Sequence, residues 1–197
     1  MPYPARIDRK KLAEQALEVA EAKGWDSWSL RDVAAHVGVT VNALYRHVDD
    51  RAHLVLAMGV AAAGELRSAL EPIASEPDDA VVEMSRQFVD FAMRRPHAYA
   101  ALTHAKPDPG APEMAAWTAV WVDVHACVRR AVPESGDAAA FALWAFLHGR
   151  VGLAQSAARL AEATAGLDDA VRCLLEGFRA RSPVPSPVPP HARLDPD

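Results

Sequence analysis

The sequence predicts an all-α protein of about nine helices. Apolar residues recur at spacings of three and four along most of the chain, and no stretch alternates apolar and polar residues over the length of a β-strand. Hydrophobic residues make up 51% of the 197 positions, alanine is abundant, and only 10 residues are glycine. Because alanine favours helices and glycine disfavours them, composition and periodicity agree.

Capping residues predict the first two helices. Asp8 is a plausible N-cap for a helix that ends at Gly24. Ser29 is followed three residues later by Asp32, which is the spacing of a capping box. The second helix is therefore predicted to run from Ser29 to about His36.

A glycine turn and a short helix follow in the predicted order. Gly38 can adopt a positive φ in a tight turn, and Thr40 can cap a third helix that reaches about His47. Asp50, with the aspartate before it, offers the start of a fourth helix. That fourth helix is predicted to extend to about Leu70.

Longer helices are predicted beyond the fourth. The stretch SEPDDA begins one, and the pair Arg95-Pro96 ends it, because proline restricts the residue before it. A short helix follows, and after the loop HAKPDPGAP comes a helix through Trp117. The last two helices are predicted at about residues 137–162 and 168–180.

The positions at which the predicted helices begin and end indicate two helical domains and a tail. Residues 1–53 are expected to form an N-terminal domain, and residues 54–181 a larger C-terminal domain. The fourth helix, at about residues 50–70, would connect the two. Residues 182–197 are rich in proline, which predicts a disordered or polyproline-like tail.

The negative charge lies outside the N-terminal domain. Residues 1–53 contain eight basic and eight acidic residues, whereas the whole chain carries a net charge of -5. Any DNA-binding face is therefore expected at the N-terminal end, where bases cluster at residues 6–11 and 46–51.

Several classes of protein lack support in the sequence. No apolar run approaches the roughly 20 residues of a membrane span, and the N-terminus lacks the apolar core of a signal peptide, so the expected location is the cytoplasm. Cys127 and Cys173 are expected to be two buried thiols. No phosphate loop, nucleophile elbow or spaced carboxylate pair is present, which argues against an enzyme or a cofactor. The histidines of the C-terminal half lack the spacing of a helical metal chelate, so no metal site is predicted.

The stretch LRDVAAHVGVTVNALYRHV, from Leu30 to Val48, predicts a helix-turn-helix. Ala34 is small where two short helices would cross, and Gly38 permits the turn between them. The third helix would expose side chains that suit phosphate oxygens or base edges. These residues are Thr40, Val41, Asn42, Ala43, Tyr45, Arg46 and His47. The alternative is an ordinary helical hairpin with a polar face.

Residues 7 to about 57 resemble the N-terminal domain of the tetracycline-repressor (TetR) family of bacterial transcription regulators. The resemblance lies in LAEQALEVAEAKGW, SLRDVAAHVGV and ALYRHVDDRAHLV. It implies a homodimer whose two helix-turn-helix units read an inverted repeat in double-stranded DNA. Carried over by position, the residues that hold phosphates would be Thr40, Tyr45, His47 and Arg51, and those that face bases would be Val41, Asn42 and Ala43. Arg31 and Arg46 complete the implied DNA-binding set.

The C-terminal half resembles the family only in outline, through RRPHAYAALT and LWAFLHGRVGLA. The resemblance implies that the last two helices form a four-helix dimer interface. It also implies an effector cavity among aromatic residues and histidines, although a stripe at helical spacing is by default core packing. The candidate pocket residues are Phe88, Phe91, Tyr99, Trp117, Trp121, His125, Phe141, Trp144 and His148. The expected effector is an apolar or aromatic small molecule.

The expected function is therefore that of a homodimeric transcriptional regulator, usually a repressor, that a small-molecule effector releases from its operator. One alternative is a helical ligand-binding or interaction module that no longer binds DNA. A more remote alternative is a metal-dependent enzyme.

Overall fold

The computed structural model describes residues 8–70, 76–108, 110–156 and 163–181, and within these ranges it is entirely helical. This confirms the all-α prediction. The helices are α1 (Arg9–Lys23), α2 (Leu30–Val37), α3 (Val41–Leu44), α4 (Arg51–Ala69), α5 (Pro77–Arg94), α6 (Pro96–His104), α7 (Met114–Ala131), α8 (Gly136–Ser156) and α9 (Leu167–Arg179). The proline-rich tail and positions 157–162 of the predicted penultimate helix lie outside the described residues.

The predicted N-caps are confirmed. The side chains of Asp8, Ser29, Thr40 and Asp50 each accept a hydrogen bond from a backbone N–H of the following turn, at 2.7–3.3 Å. Gly38 has a φ of 76°, as the predicted turn requires. Each of these signals acts within one helical turn, which is why the sequence alone could reveal it.

The third helix is shorter than predicted. It ends at Leu44 rather than near His47. The N–H of Arg46 bonds to the carbonyl of Ala43, at 3.3 Å, and that of His47 bonds to the carbonyl of Leu44, at 2.9 Å. These bonds span three residues instead of four, so the chain tightens into a turn.

Asp32 joins the capping box to α1. Its carboxylate accepts a hydrogen bond from the Nζ of Lys23 at 2.5 Å and further bonds from Ser29. Together these bonds lower the pKa of Asp32 from 3.8 to about 2, with the Lys23 bond the largest cause. The stabilisation from this carboxylate is thus present above about pH 4 and lost as the pH falls towards 2.

Replacing Asp32 with asparagine should therefore reduce thermal stability at pH 7, and the difference should shrink as the pH falls from about 4 through 2. Circular dichroism melting curves of both proteins across this range would measure the difference. The matched control is Asp26→Asn, at an exposed carboxylate two residues before the Trp28-Ser29 pair. A difference that stayed constant down to pH 2 would contradict the assignment.

Helix α6 packs against both halves of the chain. It contacts α1, α4 and α5, while α7 contacts α4, α5 and α8. At the start of α6, Arg95 bonds to Glu21 at 3.4 Å and to Glu65 at 3.0 Å. At its end, the ring of His104 lies 5.5 Å from that of Trp25. The two predicted domains therefore share one hydrophobic core.

Helix α4 passes very close to α7 at one glycine. A Cβ added to Gly59 would lie 2.7 Å from the Cβ of Ala105 and 2.9 Å from the ring of Trp117. Only a residue without a side chain fits this crossing. Gly64, five residues further along α4, has nothing within 4 Å of such a Cβ.

The prediction of two buried thiols was wrong for one cysteine. Cys127 is buried, whereas Cys173 is exposed. On α9, Val171 and Leu175 face the core, and Cys173 lies between them on the opposite side of the helix. Across the described ranges, no helix is both long and apolar enough to cross a lipid bilayer.

Candidate DNA-binding surface and aromatic cluster

Buried side chains fix the crossing of α2 and α3. Val33, Ala34 and Leu44 have no exposed surface, and Val48 is 1% exposed. Between the helices, the N–H of Val39 bonds to the carbonyl of Ala34 at 2.9 Å. Side-chain burial thus holds the very short α3 in place, because four residues supply few internal hydrogen bonds.

Most of the predicted DNA-binding side chains are exposed to solvent. Arg31, Thr40, Asn42, Tyr45, Arg46 and Arg51 are exposed, whereas Val41, Ala43 and His47 are partly buried. Within the described part of the chain, the side chains of Arg31, Asn42, Tyr45 and Arg46 make no hydrogen bond or ion pair. Tyr45 is 49% exposed although it is a large aromatic residue. Donors that lack internal partners are available to an external ligand such as DNA.

Arg51 has partners inside the protein. Its guanidinium lies 4.3 Å from the centre of the Trp28 ring and donates a hydrogen bond to the carbonyl of Trp25 at 3.3 Å. These contacts fasten the start of α4 to the turn between α1 and α2. Sequence reasoning missed them because no local motif joins positions 23 and 26 residues apart.

Five of the predicted pocket residues form a continuous ring cluster, which we call the aromatic cluster: Phe88, Tyr99, Trp121, Trp144 and His148. They come from α5, α6, α7 and α8. Neighbouring ring centroids lie 4.6–6.2 Å apart. These distances suit edge-to-face and tilted aromatic packing.

The other four predicted pocket residues lie at different places. Trp117 packs against α4 and donates its Nε1–H to a backbone carbonyl at 3.1 Å. His125 lies beside Trp121 and contacts an exposed carboxylate at 2.7 Å. Phe91 is buried, but among the described residues its ring belongs to none of the aromatic pairs. Phe141 is 69% exposed, because α8 turns its other side towards the core.

Tyr99 and His148 form the polar pair of the aromatic cluster. The Tyr99 hydroxyl lies 2.7 Å from Nδ1 of His148. Burial raises the pKa of Tyr99 to about 12 and lowers the pKa of His148 below its usual value. Both side chains are therefore neutral at pH 7.

A groove between α1 and α4 lies away from the aromatic cluster. Its volume is about 770 Å³, and its apolar floor includes Ala13, Leu56, Ala57 and Val60. None of the nine predicted pocket residues lines it. Among the described residues, no group of three or more histidine, cysteine or acidic side chains is placed to hold a metal ion.

Helix α8 carries an uncharged exposed face. Between residues 138 and 153 its exposed residues are Ala138, Phe141, Ala145, Gly149, Gly152 and Leu153. Phe141 and Leu153 are 69% and 75% exposed. Gly149 and Gly152 have open space beside their backbone, so another helix can approach closely there.

A helix-turn-helix with exposed donors, built onto a larger all-helical domain, defines the class of helix-turn-helix transcriptional regulators. Residues 12–58 match the family model of bacterial regulatory proteins of the tetR family, and residues 81–178 match a tetracyclin repressor-like C-terminal domain. The chain belongs to the tetR family of bacterial transcriptional regulators.

One relative agrees with this assignment, and two solved structures share the fold. The chain is 28% identical over 171 residues to a protein of Mycobacterium tuberculosis named an uncharacterised HTH-type transcriptional regulator, covering 84% of this chain and 75% of that protein. A Rhodococcus protein of unknown function has a TM-score of 0.69 at 23% identity, covering 91% and 97% of the two chains. A TetR variant of Acinetobacter baumannii in complex with minocycline has a TM-score of 0.66 at 20% identity, covering 90% and 99%.

Proposed function

We propose that the protein is a homodimeric repressor that binds an inverted-repeat operator and leaves it when an apolar or aromatic molecule binds the C-terminal half. Residues 1–53 bind DNA, residues 54–181 bind the effector and form the dimer, and α4 connects them. The observation that carries the proposal is the row of exposed side chains on and beside α3 that have no hydrogen-bond or ion-pair partner in the described chain.

The exposed side chains divide into two roles. Asn42 lies in the first turn of α3 and is exposed, so its amide can bond to a base edge, with adenine the best match. Val41 and Ala43 flank it and can contact apolar base edges. Thr40, Tyr45, His47 and the basic residues hold phosphates, which position the protein but carry no sequence information.

Replacing Asn42 with alanine should cost about 1–3 kcal/mol of operator affinity and relax base preference at one symmetric position. Operator fragments would first be selected from genomic DNA, and affinities would then be measured by fluorescence anisotropy on single-base variants. Tyr45→Phe and His47→Gln are matched controls that should weaken all sequences equally and reduce the salt dependence. If the Asn42 variant bound all DNA sequences more weakly by the same factor, Asn42 would contact phosphate instead of a base. If no genomic fragment binds although a small molecule does, the chain is a ligand-binding module.

Dimerisation is proposed through α8 and α9. The uncharged exposed face of α8 offers two large apolar side chains and two glycines that permit close helix approach. Large apolar side chains exposed along one helix commonly mark a protein interface. A second copy would bury them in a four-helix arrangement related by a two-fold axis.

Replacing Phe141 or Leu153 with glutamate should convert the dimer to a monomer, because a charge would then be buried at the interface without a partner. Sedimentation velocity would measure the assembly state, and operator affinity should fall together with dimerisation. The matched control is Val122→Glu, on α7, where an apolar side chain is 54% exposed outside this face. A dimer that survives both α8 substitutions would contradict the proposed interface.

Helix α4 is proposed to carry the signal. It begins beside α3, and Gly59 near its middle touches Trp117 of α7. Trp121, one turn along α7, belongs to the aromatic cluster. An effector that moves α7 must therefore displace α4. Two recognition helices fit successive major grooves only when they lie about 34–36 Å apart, so a small divergence weakens operator binding.

A further inference from the structure

One buried nitrogen of the aromatic cluster has no partner. The Nε2 atom of His148 is inaccessible to solvent and makes no hydrogen bond within the described residues. The His148 ring lies 4.6 Å from that of Trp144 and 5.1 Å from that of Phe88. Buried polar atoms almost always have partners, and an exception indicates a role such as ligand binding.

Tyr99 determines whether Nε2 of His148 carries a proton. Among the described residues, the Tyr99 hydroxyl has one hydrogen-bond partner, which is Nδ1 of His148. We infer that this hydroxyl donates to Nδ1, in which case the proton of the neutral imidazole resides on Nε2. His148 therefore presents an N–H donor to the cluster. Reversing the tautomer would leave the Tyr99 proton without an acceptor.

We propose that His148 determines effector specificity by donating this N–H to a hydrogen-bond acceptor on an uncharged, flat, apolar or aromatic molecule, such as an aryl ketone. This proposal rests on the proposed function of the C-terminal half. A molecule without an acceptor would leave the donor unsatisfied, which lowers its affinity.

Charge around the aromatic cluster favours an uncharged effector. The cluster itself contains no lysine or arginine. The nearby ion pair joins His125 to Asp137, whose carboxylate is 88% exposed to solvent. A carboxylate among these rings would lose its hydration, and the one imidazole within the cluster, His148, is held neutral by burial, so the carboxylate should bind poorly.

Two tryptophans form the route by which a flat molecule enters. Trp121 and Trp144 are only partly buried, and their rings meet edge to face at 6.2 Å. Phe88 behind them is 1% exposed. Displacement of the two outer rings would bring a ligand to His148, and it would move α7, which carries Trp121.

Three probes that share one ring system test the proposal: naphthalene, methyl naphthyl ketone and naphthoate. Isothermal titration calorimetry on the full-length protein should show the ketone binding about tenfold more tightly than naphthalene. Naphthoate should bind most weakly. His148→Phe should retain naphthalene binding and abolish the preference for the ketone.

Two further variants separate specificity from folding. Tyr99→Phe removes the hydroxyl that sets the tautomer and should reduce the ketone preference while naphthalene still binds. His97→Phe, at a histidine on α6 outside the aromatic cluster, should change nothing. Nitrogen NMR of labelled histidine should show protonated Nε2 in the free protein, and its resonance should shift when the ketone binds.

The proposal is overturned if no probe binds, if ketone and naphthalene bind equally, if naphthoate binds best, or if His148→Phe keeps the preference. Operator affinity of the ligand-free protein is measured separately. Operator binding without ketone selectivity refutes this inference alone. Ketone selectivity that depends on His148, in a protein that binds no DNA, refutes the proposed regulatory function alone.

Discussion

Replacing Gly59 with alanine is expected to weaken operator binding by about 5- to 150-fold, the range typical of allosteric coupling, while the protein stays folded and dimeric. The new Cβ would meet Ala105, at the end of α6, at 2.7 Å and the Trp117 ring of α7 at 2.9 Å, so α4 must move away from both. Overpacking of this kind costs about 1–3 kcal/mol of stability. The separation imitates the displacement that we propose for the effector.

A matched control lies on the same helix. Gly64→Ala adds the same methyl group where nothing lies within 4 Å, so it should stabilise α4 by about 0.5–1 kcal/mol and leave operator affinity unchanged. Adding Trp117→Leu to Gly59→Ala relieves the contact with α7, although not the one with Ala105, and should restore part of the affinity. If Gly59→Ala retains full operator affinity in a folded dimer, α4 does not transmit a signal at this crossing.

The second large effect is expected at Leu44. This residue is fully buried and is the last residue of the four-residue α3. Replacement with alanine should cost about 2–5 kcal/mol of unfolding free energy, as for other buried leucines. It should also abolish specific operator binding, because burial of this side chain positions the recognition helix.

A loss of operator binding through Leu44 must be distinguished from general unfolding. Leu143→Ala, at an equally buried leucine in α8, should have a similar cost in stability and retain operator affinity at temperatures where the protein is folded. Urea denaturation and anisotropy on the same samples would compare the two variants. Equal losses of operator affinity in folded samples of both would contradict a local role for Leu44.

The sequence was informative where structure is determined within one turn. Ser29 and Asp32, which are three residues apart, form the capping box. Gly38 ends α2 because its own backbone adopts a positive φ. The helix-turn-helix was readable because all of its interactions lie between Leu30 and Val48. Local motifs therefore predicted the class of protein correctly.

The orientation of α8 was not readable in this way. Its sequence is apolar on nearly every side, so periodicity does not identify the face that meets the core. Phe141 was predicted to line a pocket with Trp144, yet Phe141 is 69% exposed, whereas the Trp144 ring packs within the aromatic cluster. Contacts such as Arg51 with Trp28 and Gly59 with Trp117 join distant positions that no motif connects.

The position of α6 between the two halves has a consequence for folding. Arg95 joins it to Glu21 and Glu65, and the core runs without a break from α1 through α4 and α6 to α7. Fragments cut at residue 53 would expose apolar surfaces that α4 and α6 cover, so we expect the N-terminal half to be less stable when it is cut off. We therefore expect the protein to unfold as one cooperative unit, so that a ligand that stabilises its C-terminal half would also raise the melting temperature of its N-terminal end.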